Sequence, residues 1–62
     1  MKIICIDNFN RDSISDILIC TNINEYIGLK VVNFLNEAFG GDTSVNYYRL
    51  VKDDHKLYEF KP

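Results

Sequence analysis

The chain is short of most residues and motifs that announce a chemistry. Its 62 residues include one His, one Pro and three Gly. They contain no Gly-rich phosphate loop, no nucleophile elbow and no compact metal motif. A strong charge of either sign is missing too, since seven Lys and Arg against nine Asp and Glu leave a net −2. A dedicated nucleic-acid binder usually carries a clear basic excess, and a DNA mimic needs a denser acidic surface than this. No apolar run approaches the roughly 20 residues of a membrane span. The start, Met1-Lys2-Ile3-Ile4-Cys5-Ile6-Asp7, is too short in its apolar part for a signal peptide. These features lead us to expect a cytoplasmic protein with no membrane partner.

What is present is apolar surface. Hydrophobic residues make up 47% of the chain, and eight are aromatic, so the composition is that of a folding chain. Residues 1–62 form one domain, near the lower size limit for a self-sufficient core. Ordering each residue costs roughly 1.5 kcal/mol, a sum that burial in so small a chain barely offsets. Domains of this length often add a disulfide, a metal or a partner subunit. Ile, Asn, Lys, Tyr and Phe, with AT-rich codons, number 28, against 7 for Gly, Ala, Arg and Pro. That ratio points to an AT-rich genome, such as a low-GC bacterium or a mobile element living in one.

Residues 2–9 read as a strand, since Ile3-Ile4-Cys5-Ile6 is almost wholly β-branched. A polar turn over Asn8 and Asn10 to Ser13 leads to a second strand at 14–21, and the short gap makes an antiparallel hairpin. Phe9 opposite Ile14 places Ile6 against Ile17 and Ile4 against Ile19. It also sets Asp7 against Asp16, a like-charge clash that a two-residue slip would relieve. Either register leaves both faces of the hairpin apolar. Residues 23–39 read as a helix, capped by Asn22 with Glu25 three residues on. Ile27, Val31, Phe34, Leu35 and Ala38 form its apolar stripe. Gly28 suits a close approach to the sheet, and Gly40-Gly41 suits a left-handed helix stop. Residues 44–51 read as a third strand, and Leu57-Tyr58-Glu59-Phe60 as a short fourth after a turn at 52–56. The order is β-β-α-β-β, an α+β fold with a small antiparallel sheet and one helix across one face.

Each group able to carry chemistry has a plainer structural role. Cys5 and Cys20 fall on one hairpin face, as a redox pair or half a metal site, or as two small buried hydrophobes. His55 sits in a charged turn beside Asp53 and Asp54, where a general base or a solvated loop are the alternatives. Asp7, Asp12 and Asp16 could gather a hard cation or keep a strand edge soluble. Tyr47, Tyr48, Tyr58 and Phe60, mixed with Arg49, Lys52 and Lys56, could stack on nucleic-acid bases, meet a protein partner or pack across strands. No cofactor is expected.

The ending Asn46-Tyr47-Tyr48-Arg49-Leu50-Val51-Lys52-Asp53-Asp54-His55-Lys56-Leu57-Tyr58-Glu59-Phe60 follows a helix containing Phe34-Leu35-Asn36-Glu37. This half of the chain resembles small uncharacterised proteins of phages and prophages in low-GC bacteria. The resemblance implies action by binding and disabling or redirecting a host factor, defence systems included, and carries over no site residues. The reading is a non-catalytic module whose partner is a host protein, met through Tyr47, Arg49, Lys52, Lys56 and Tyr58. A homodimer through Ile3, Cys5, Phe9 and Leu18 would cover the two-sided hairpin. The alternative is a nucleic-acid accessory protein using Tyr47, Arg49, Lys56 and Tyr58.

Overall fold

A computed structural model of the chain describes residues 1–10, 12–40 and 44–61. The element order is β1 (Lys2–Asp7), β2 (Ile17–Cys20), α1 (Glu25–Phe39) and β3 (Asn46–Val51). The strands form one antiparallel sheet in the order β2-β1-β3, so the most apolar strand lies at its centre. The expected turn positions Arg11 and Gly41, and Pro62, lie outside the described residues.

β1 pairs with β3 without interruption from Lys2 opposite Val51 to Asp7 opposite Asn46. Opposed residues share a face. Ile3 and Cys5 therefore lie with Leu50 and Tyr48 on one face, and Ile4 and Ile6 with Arg49 and Tyr47 on the other. The β1–β2 register differs from the expected one. Ile3 faces Cys20, Ile4 faces Leu18 and Cys5 faces Ile17, with Ile19 bulged out as the extra residue. The bulge exchanges Leu18 and Ile17 between faces and takes Asp16 out of line with Asp7. Asp7 is used instead to end its strand, where its carboxylate accepts from the amides of Phe9 at 2.9 Å and Asn10 at 2.7 Å.

The helix begins later than expected. Asn24 is its cap, with its side chain accepting from the Ile27 amide at 2.8 Å. Asn22 takes a left-handed turn at φ 58, a conformation Asn tolerates better than most residues. The buried line of the helix runs through Gly28 and Val32, with Val31, Leu35 and Asn36 half-buried. The expected stripe through Ile27, Phe34 and Ala38 is rotated out to solvent. Close approach selects the buried line, since a Cβ on Gly28 would lie 2.6 Å from a terminal methyl of Leu50. Gly40 caps the helix in extended geometry at φ −153, so it is not itself a left-handed residue. Glycine is needed there because a Cβ would sit 2.3 Å from the Asn46 carbonyl oxygen.

The expected fourth strand does not form. Residues 52–61 run instead as a strap from the end of β3 to the segment before β2. Leu57 packs with Tyr47 against the Ile4, Ile6 and Val51 cluster. Beyond it, the Asp16 amide donates to the Tyr58 carbonyl at 2.8 Å, and the Tyr58 amide donates to the Asp16 carboxylate at 2.9 Å. The Phe60 amide donates to the Ser15 hydroxyl at 2.8 Å. Two of these three bonds end on side chains, which draw the segment off the ladder a hairpin with β3 would need. The helix and the strap thus cover opposite faces of β1, and Ile3 and Ile4 are both 0% exposed.

Candidate interaction surfaces

The two edges of the sheet are finished differently. On β3, the Tyr48 amide donates to the Asn36 side-chain oxygen at 2.8 Å, and the Asn36 amide group donates to the Tyr48 carbonyl at 3.0 Å. One helix side chain thereby takes both outer backbone groups of Tyr48, at the middle of that strand's rim. The helix lies over β3 and the margin of β1, and makes no contact with β2 among the described residues. No described residue bonds to the outer rim of Ile17–Cys20. Ile17, Leu18 and Ile19 remain 57, 49 and 43% exposed.

A second apolar surface lies at the far end of the sheet. The Asn8 amide donates to the Val45 carbonyl at 2.7 Å, and the Asn8 side chain donates to the Ser44 carbonyl at 2.7 Å. These bonds bring the chain after β1 beside the chain entering β3, and Gly40 sets the helix end against Asn46. Phe9, Phe39 and Val45 therefore occupy one end of the molecule. Phe9 and Phe39 are each 63% exposed. The whole chain exposes 4504 Å², about 10% more than a compact monomer of its mass. No enclosed pocket occurs among the described residues.

The expected partner-binding set is divided. Tyr47 is half-buried in the strap-side core, and the Tyr58 hydroxyl donates to the Asp12 carbonyl at 2.6 Å. Both aromatics therefore hold the strap in place. Arg49, Lys52 and Lys56 are exposed. Of the expected dimer residues, Ile3 and Cys5 are buried and have no surface to offer, whereas Phe9 and Leu18 are open to solvent.

The groups with chemical potential have structural partners. Cys5 and Cys20 are free thiols, and Cys20 opposes Ile3 while Cys5 opposes Ile17, a diagonal placement on one face. Burial pushes the Cys5 thiol above its ordinary pKa, with the charges of Asp7 and Asp16 adding to the rise and hydrogen bonds to the Tyr47 backbone and Tyr48 side chain opposing it. Such a thiol is protonated and unreactive at neutral pH. Burial likewise raises the Tyr48 phenol, with Cys5 adding to the rise. Asp16 is buried under the strap. The His55 amide closes the turn by donating to the Lys52 carbonyl at 3.0 Å. No group of three His, Cys, Asp or Glu among the described residues is arranged to hold a metal ion.

Sequence reasoning missed both the rim closure by Asn36 and the latch of the strap onto Ser15 and Asp16. The first had a usable signal, a lone amide in helical register with Gly28 and Val32. The second had none at short range, because its partners lie more than forty residues apart. No protein-family model matches the chain, and no curated protein or solved structure matches it either.

Proposed function

We propose that this domain is a non-catalytic interaction module encoded by a mobile element, acting in the host cytoplasm by occupying the surface of a host protein. The observation that carries the reading is that Phe9, Phe39 and Val45 are all exposed toward one end of the sheet. Large aromatics left open on a rigid frame are the side chains that anchor protein interfaces. The AT-rich coding composition and the phage-like C-terminal half support the origin. No helix of the described residues is long and apolar enough to cross a membrane.

The test is affinity capture from a low-GC bacterial lysate with wild-type protein and with Phe9→Ser and Phe39→Ser. One host protein retained by the wild type and lost with both variants, at unchanged circular dichroism, supports the reading. Equal retention by all three, or retention of single-stranded nucleic acid that salt releases, overturns it.

A further inference from the structure

We propose that the outer rim of β2 is a self-association surface, where two copies of this chain pair antiparallel about a two-fold axis into one six-stranded sheet. This contact goes beyond the host-binding reading and uses a different part of the molecule.

Among the described residues nothing bonds to this rim, while the Tyr48 groups at the middle of the β3 rim are taken by Asn36. A free strand edge displays unpaired amides and carbonyls that template another strand. Proteins that must stay apart blunt such edges with Lys or Pro, and Ile17-Leu18-Ile19-Cys20 contains neither; its four residues and the bulge at Ile19 keep the contact short. The absence of charge also selects the occupant. Residues 17–24 are the longest stretch of this sequence without a charged side chain. Close to a two-fold axis each residue meets its own copy, so any charge there would face its like. An edge without charge suits a second copy of itself, whereas one built for a charged partner would carry the opposite sign.

The helix supplies a flank for the same contact. At about 100° per residue, Ile27, Val31, Phe34 and Ala38 lie opposite Asn36 on the helix. Asn36 marks the side over the β3 rim, so this stripe faces the β2 side of the sheet. Ile14, Ile17, Leu18, Ile19, Ile27 and Phe34 are each between 43 and 63% exposed. At roughly 150–250 Å² for a fully exposed aromatic side chain, taken as a ceiling for the aliphatic ones, they offer at most about 450–750 Å² per copy. Stable dimers bury roughly 600–1,000 Å² per partner. The surface therefore reaches the lower end of that range, and the dimer dissociates on dilution.

Light scattering after size exclusion, from about 1 to about 100 μM protein, tests this. The expected mass rises from one chain toward two. Ile19→Lys and Leu18→Lys, both at exposed positions, keep the helical circular dichroism and weaken association at least about tenfold. Phe9→Ser, at the other surface, dimerises like the wild type. Hydrogen exchange of the wild type gives a second readout, in which amides within Ile17–Cys20 gain protection with concentration. A single-chain mass throughout, equal association of the lysine variants, or growth past two copies each overturns the proposal.

Discussion

β1 and β2 are written in nearly the same letters and end in opposite environments. The centre of β1 reads Ile-Ile-Cys-Ile and is buried throughout, while β2 reads Ile-Leu-Ile-Cys and is mostly exposed. Hydrophobicity does not separate them; position does. β1 has a strand on each side, the helix above and the strap below. β2 has one neighbour and lies beyond the reach of the helix. The comparison teaches that an apolar strand at a sheet edge is not spare core. It is exposed apolar surface, which is where the self-association proposal starts.

Breaking β1 has the largest expected effect. Ile4→Ala removes a fully buried side chain and costs about 2–5 kcal/mol, most of what a domain this size has in reserve. Leu18→Ala, its direct cross-strand partner, costs under about 1 kcal/mol in the monomer because half its surface is already wet. Urea denaturation at low protein concentration measures both, and equal losses would erase the distinction between centre and edge. Next, Asn36→Ala strips the closed edge. It loses two hydrogen bonds to Tyr48, costs about 1–3 kcal/mol, and speeds hydrogen exchange at the Tyr48 amide. An unchanged rate there would mean that Asn36 does not guard the rim.

Leu57→Ala probes the strap that roofs the second face of β1. Its side chain is only half-buried, so the cost is about 1–2 kcal/mol, below the full core range. The drop is read by thermal unfolding, and none at all would make the strap decoration. The smallest effect is chemical. Iodoacetamide at mildly alkaline pH labels Cys20 on β2 before Cys5 on β1, as peptide mass mapping reads out. Cys5 labelling first would contradict its burial. The raised Cys5 pKa also fixes a sign. The unfolded chain loses that proton at lower pH than the folded one, so this contribution is intact at neutral pH. It declines as pH climbs past the ordinary thiol value into the alkaline range, and chemical denaturation at stepped pH measures the slope.

Much of the fold is legible in the residues. β-Branched runs locate three strands, and apolar spacing between Asn and Gly locates the helix, because both signals are local. The chosen faces are not local. Ile27 and Phe34 look like core on a helical wheel, yet Gly28 lets the backbone approach Leu50 and turns the helix about a quarter-turn away from them. Leu57–Phe60 alternates like a strand, yet Ser15 and Asp16 offer it better hydrogen-bond partners than β3 does. Of the expected dimer residues, Phe9 and Leu18 lie exposed and Ile3 and Cys5 buried, and nothing in the hairpin pattern separates the two pairs. Tyr47 and Tyr58 hold the strap, a role their sequence pattern does not separate from ligand binding, since aromatics beside cations read the same in both.

The sequence by itself determined a small α+β fold that begins with a hairpin apolar on both faces. Spacing and composition are enough for that, since they act within a few residues. Only the tertiary structure decided that β1 receives cover from the chain's own helix and strap while β2 does not. Burial depends on which segments meet across the whole chain, and a helix that follows Gly28 down onto Leu50 lies over β3, too far across the sheet to cover Ile17.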